Sequence, residues 1–241
     1  MGLFGFKKKK INEESTFEEN LIKYLNEKNW RKQSIQLILP EVVSILNLES
    51  EWKNILSLPS RKDRVNQTIK LWEKNAKDFQ MIIHLLKERL ISIDTVLYNE
   101  KLNIVYSLQA HEGIIYYIGT LPQSSYEGKI INQLPEAIKN FYFNVHDGFV
   151  MYPSEDMGLA ATSDIYCLGD DLLQEEFIEG YSVKDTYMIF SNGGGDGVVY
   201  DVSQNPPKGF TYFHDDYDEC DFKENPIDVI GSWIQIALSD E

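Results

Sequence analysis

Between Phe17 and Leu90 several stretches, broken by Pro40 and Pro59, carry apolar residues at steps of three and four, the spacing that puts side chains on one face of an α-helix. Ser15 or Thr16 can cap a first helix, with Glu18 and Glu19 near its positive N-terminal end. Phe17, Leu21, Tyr24 and Leu25 supply its stripe, and Asn29 closes it. Pro40 suits the first turn of a second helix running to about Leu48, because a first-turn residue needs no N–H partner. Trp52, Ile55 and Leu56 predict a short helix before Pro59. Ser60 then opens the longest one, to about Leu90, with Val65, Ile69, Trp72, Ala76, Phe79, Ile83, Leu86 and Leu90 in one continuous stripe.

Near Ile93 the period shortens. Residues 95–98, 102–106 and 114–118 are β-branched and aromatic runs separated by Asn99-Glu-Lys and His111-Glu-Gly, the pattern of an antiparallel meander. Residues 119–128, with Pro122 and two serines, read as a connector. A domain boundary is placed there, between a helical region ending in a β-meander (1–120) and an α+β domain (121–241). In the second part, Leu134-Pro135 opens an amphipathic helix that ends at His146-Asp147-Gly148. Strands follow at 187–190, 197–201 and about 210–213, and Pro226 starts a last helix with Ile227, Ile230, Trp233, Ile234 and Ala237 on one side. Helices flanking a small antiparallel sheet predict an α+β fold rather than a doubly wound α/β fold.

Composition adds two constraints. With 43% hydrophobic and 12% aromatic residues the chain can bury a core, yet no apolar run approaches the ~18 residues of a membrane-spanning helix. Lys7 to Lys10 follow the apolar start, the reverse of a secretory signal, and Phe6 stands where a myristoylation pattern has Ser or Thr. A cytoplasmic location is expected, with Cys167 and Cys220 reduced and no stable membrane insertion. The lysine run can still touch an anionic surface. Net charge is −15, unevenly spread: residues 1–120 hold 18 basic and 15 acidic side chains, whereas residues 121–241 hold 5 and 23. A half at −18 repels phosphate backbones, which argues against direct nucleic-acid binding, and attracts basic partners; acidity also serves solubility.

The candidate chemistry is thin. Ser191-Asn-Gly-Gly-Gly-Asp-Gly197 lacks the lysine of a phosphate loop and leads into a strand, so its glycines predict a tight hairpin turn. His214-Asp-Asp-Tyr-Asp-Glu-Cys-Asp221 is rich in metal-ligand atoms but lacks the central glycine of a calcium loop, so a solvated acidic loop is expected. His146-Asp147 imitates the central pair of helical metal-dependent phosphohydrolases, but the conceivable upstream ligand His111 falls in a β-turn. Neither a Gly-x-Ser-x-Gly elbow nor a His-Glu-x-x-His pair occurs, and the sequence predicts no catalysis, metal or cofactor.

The order of motifs in the second half resembles the SUKH superfamily. Leu134-Pro135 opens a helix bearing Phe141, and Asp147-Gly148 stands in the helix-terminal turn where the family usually has asparagine-glycine. A strand pair around Gly194, Asp196 and Gly197 follows, and an apolar helix with Trp233 closes the chain. The resemblance covers about residues 121–241. It implies a protein-binding α+β scaffold of the kind used by bacterial immunity proteins against toxins, often nucleases, and by regulators of cell-wall synthesis. Such a protein would bind a cognate toxin or another basic protein. Asp215, Asp216, Asp218, Glu219 and Asp221 are the expected rim, with Tyr212, Phe213 and Tyr217 as aromatic anchors. Two other readings remain open: a regulatory adaptor that binds through its helical half, and a metal-dependent hydrolase using the 214–221 loop.

Overall fold

The computed structural model describes residues 6–29, 34–46, 48, 51–98, 100–123, 125–126, 130–171, 177–178, 181–216 and 220–239. Helices come first, with one short strand among them: α1 (Phe6–Lys28), β1 (Gln36–Ile38), α2 (Pro40–Ile45), α3 (Glu51–Leu56), α4 (Arg61–Asn75) and α5 (Gln80–Arg89). The meander is β2 (Leu90–Tyr98), β3 (Lys101–Gln109) and β4 (Ile114–Thr120). After it come α6 (Glu136–Asn144), β5 (Phe149–Tyr152), β6 (Met157–Leu159), β7 (Tyr166–Cys167), α7 (Leu168–Asp171), β8 (Phe177–Ile178) and β9 (Tyr181–Ser182). The chain ends with β10 (Thr186–Asn192), β11 (Gly197–Asp201), β12 (Lys208–Tyr212) and α8 (Pro226–Ser239). The fold is mixed α+β.

Several expectations need correction. Ser15 and Thr16 lie inside α1, which is already helical at Phe6, since nothing from Lys7 to Glu14 breaks a helix. Pro40 does occupy the first turn of α2, but Leu46 is extended and the helix stops at Ile45. The long helix from Ser60 is two helices. Ser60 caps α4 through a bond from the Asp63 N–H, and the chain leaves helical geometry between Ala76 and Phe79. Both residues remain buried, so the apolar period continues across a link that is not helical.

One 10-stranded open sheet runs in the order β1-β2-β3-β4-β5-β6-β10-β11-β12, with β7 beside β10, and every pairing is antiparallel. The pairing of β4 with β5 brings Tyr116 opposite Tyr152 and Gly119 opposite Phe149, so the sheet crosses the expected boundary at residues 119–128 without a break. The main core does the same, joining Trp52, Trp72 and Tyr106 to Phe141, Phe149 and Phe190.

The sheet has two unlike faces. The first is covered by α3, α4, α5, α6 and α8, with Val43 of α2, and their apolar side chains build that main core. The second carries two smaller clusters. One packs Leu21 and Leu25 of α1 on Val96, Val105, Tyr116 and Tyr152. The other packs Leu168, Tyr181 and Val183 on Met188, Val199, Phe210 and Tyr212. A bulge at Ile189 in β10 lets both Ile189 and Phe190 face the main core, while Met188 faces the other way.

Candidate functional site

His146, at the end of α6, sits deep in the covered face with no exposed surface. Its ring stacks on Trp52 and Phe149, at 4.9 and 5.8 Å between centroids, and meets Trp72, Tyr106 and Phe141 edge-on. Nδ1 lies 2.9 Å from the Thr120 carbonyl, which can only accept, so Nδ1 carries the proton. Nε2 therefore accepts from the Tyr106 hydroxyl at 2.7 Å, and that hydroxyl accepts in turn from the Trp72 indole at 3.0 Å. Burial drives the His146 pKa down to about 3 against the Thr120 hydrogen bond, which raises it. The imidazole is neutral and its two nitrogens are both engaged. This arrangement holds the core together and presents no face to a substrate.

Asp147 and Gly148 are a joint. One Asp147 oxygen accepts from the Thr162 N–H at 2.9 Å and the other from the Gln123 amide, while its backbone N–H donates to Thr120. Gly148 adopts φ +95°, and a Cβ there would meet the Ala161 nitrogen at 2.7 Å. The carboxylate and the missing side chain thus fasten the α6–β5 turn to the segment after β6. The remaining motif positions are structural as well. Pro135 precedes α6, Leu134 and Phe141 are buried in the main core, and Trp233 stacks on Phe190 with centroids 5.7 Å apart.

The glycine run is the β10–β11 turn, with Gly193 and Gly195 at φ +83° and +103°. Gly194 donates to the Asn192 side chain, and Gly197 fits against Met188 and Phe190, where any Cβ would collide. From this turn the Asp196 carboxylate reaches His214, accepting from its backbone N–H at 3.1 Å and facing its Nδ1 at 2.8 Å. The acidic loop is thereby tied to the hairpin. Asp215 and Asp216 are exposed and Phe213 is half-buried. Asp221 bridges Thr211 through its backbone and takes the Lys223 N–H on its carboxylate. Tyr212 is 6% exposed and belongs to a core cluster on the second face, so its ring is no surface anchor. Tyr217, Asp218 and Glu219 lie outside the described residues.

One open concave feature was not anticipated from the sequence. Between the two clusters of the second face lies an open trough of about 970 Å³. Its floor follows one row of cross-strand partners: Ile118 is opposite Val150, Val150 opposite Gly158, and Gly158 opposite Ser191. Ala160, Ala161 and Met188 add apolar surface, and Glu155, Asp156, Asp164 and Lys101 stand among the lining residues. Glu155 holds φ +59°, an uncommon backbone for a residue with a side chain, and accepts from the Tyr98 hydroxyl at 2.7 Å. The small-residue stretch Gly158-Leu-Ala-Ala161 was the only local signal of this space.

Among the described residues, no group of three or more His, Cys, Asp or Glu is disposed to hold a metal ion, and no helix is long and apolar enough to cross a membrane. No family model, curated protein or solved structure matches the chain.

Proposed function

We propose that this chain is a non-catalytic, cytoplasmic binding protein of the immunity type, which neutralises a cognate basic toxin of the nuclease kind by direct contact. The observation that carries the reading is the confinement of the acidic charge to residues 121–241, at 5 basic against 23 acidic side chains. Such a surface speeds encounter with a cationic protein and can cover a cationic active site. Exposed Asp156, Asp164, Asp215 and Asp216 display part of this charge. The likeness of the motif order to the SUKH superfamily supports the same reading.

The test is capture from the native lysate with the tagged full chain, at low salt and at about 0.5 M salt, where exposed charges are screened over a few ångströms. The expected partner is basic, is lost or weakened at high salt, and loses its nuclease activity when the purified chain is added. Recovery of no protein at low salt, or of a partner whose activity the chain leaves untouched, would reject the immunity reading.

A further inference from the structure

We infer that the trough on the second face is the seat of a lysine- or arginine-bearing segment of the protein partner. This rests on the basic-partner reading and gives it a location. The trough exists because the two covers of that face are separate. α1 packs over the β2–β5 side, the α7–β9 region packs over the β10–β12 side, and the row from Ile118 to Ser191 runs between them. Gly158 contributes no side chain to that row, and a Cβ there would strike the Phe149 carbonyl at 2.2 Å. The floor is therefore low, with the apolar Ile118 and Val150 on one side of Gly158 and Ser191 on the other.

Charge decides the occupant. Glu155, Asp156 and Asp164 stand among the lining residues beside one lysine, Lys101, while the oxygens of Asp147 are taken up by Thr162 and Gln123. An apolar floor under carboxylates suits side chains with an aliphatic stem and a cationic head, which lay the stem on Val150 and Met188 and carry the head to the acids. A polyanion or an acidic peptide would be repelled. The space of about 970 Å³ is at the upper end of the range for small-molecule sites and opens along the sheet, which suits a stretch of polypeptide. Glu155 is not left to swing, because the Tyr98 hydroxyl and its left-handed backbone both fix its position.

The experiment titrates the isotope-labelled full chain with a short peptide alternating lysine with leucine, and with its glutamate–leucine counterpart. The lysine peptide is expected to shift the amides of Ile118, Val150, Ala160 and Met188, and the glutamate peptide to shift none of them. Ala160→Trp fills the trough without changing charge and should weaken the lysine peptide by about tenfold or more. Asp156→Asn combined with Asp164→Asn alters only exposed carboxylates and should weaken it comparably, which settles the matter if the tryptophan variant fails to fold. Equal binding of both peptides, shifts centred on Asp215 and Asp216, or undiminished affinity in the double variant would overturn the trough as the seat. None of these outcomes touches the capture experiment, whose own failure would instead remove the basic-partner reading.

Discussion

Phe149 and Val150 are neighbours on β5 and face opposite sides of the sheet, and the two sides do different work. The Phe149 side is closed by helices, with Trp72, Tyr106, Tyr117 and His146 around the phenyl ring. The Val150 side is roofed at both ends and open in the middle. One face is therefore a frame and the other a surface held up by it. Phe149→Ala should cost about 3–5 kcal/mol in urea denaturation, the range for emptying a large aromatic site in a closed core. Val150→Ala should cost about 1 kcal/mol or less, because its methyl groups are only half withdrawn from water. Equal losses for the two variants would erase the contrast.

The frame has a charged seam. β1 pairs with β2 only over Thr95 to Leu97, and beyond Thr95 the β2 edge is taken over by Arg64 of α4. Its guanidinium donates to the Ile93 carbonyl at 2.7 Å, to Leu58 at 2.9 Å and to the Asp94 carboxylate at 3.1 Å, with the pair only 7% and 4% exposed. Arg64→Met would leave Asp94 buried without its counter-ion and the strand edge unpaired. A loss of about 3 kcal/mol is expected, close to that of Phe149→Ala. Recovery of most of it in the double variant Arg64→Met with Asp94→Leu would show that the stranded carboxylate, rather than lost packing, was the cause.

His146 gives the frame a pH dependence. Its folded pKa of about 3 lies below the ordinary ~6.5 of an unfolded histidine. The unfolded chain therefore binds the proton first as pH falls. The stabilising contribution is complete above about pH 6.5 and declines through the window down to about 3, by about 1.4 kcal/mol per pH unit. Carboxylates titrate in part of the same window, so the comparison is with His146→Gln, whose stability should fall less steeply between pH 6.5 and 5. Parallel slopes for the two proteins would show that the ring is protonated in the folded state.

Much of the frame was readable in the sequence because a repeating period reports burial on one face. The meander followed from β-branched and aromatic runs set off by turn residues, and α8 from its apolar side. The same logic misled at Ala76–Phe79, where buried residues keep the helical interval across a link that is not helical. Strands β5, β6 and β7 are two to four residues long, too short for alternation to register. The trough was illegible for a deeper reason. Its floor assembles single residues from β4, β5, β6 and β10, and which strands lie side by side is a property of topology, not of any local pattern. Asp147-Gly148 was visible as a motif, but its work, satisfying Thr162 and Gln123 and admitting Ala161, depends on partners distant in sequence.

The smallest expected effect lies outside both faces, at the acidic loop. His214 is exposed, and its pKa is raised chiefly by the hydrogen bond to Asp196, with the Asp215 carboxylate 3.3 Å from Nε2 adding to it. Asp196 is drawn upward by partial burial, but the bonds from His214 and Asn192 outweigh this and its pKa is lowered. The signs are opposite. The histidine's contribution is present at low pH and lost as pH rises through its raised value; the aspartate's is present at high pH and lost as pH falls through its lowered one. The tether therefore operates between the two. In Asp196→Asn the His214 pKa, followed by the ring proton shifts, should fall toward about 6.5 without fully reaching it, since Asp215 remains. Amide shifts should stay confined to Gly195 and the residues around His214, whose ring lies over that glycine. The melting temperature should hardly move, as befits an exposed ion pair. If Asp196→Asn instead lowered it as far as Arg64→Met does, the loop would belong to the frame, and the division between a packed face and a charged periphery would fail.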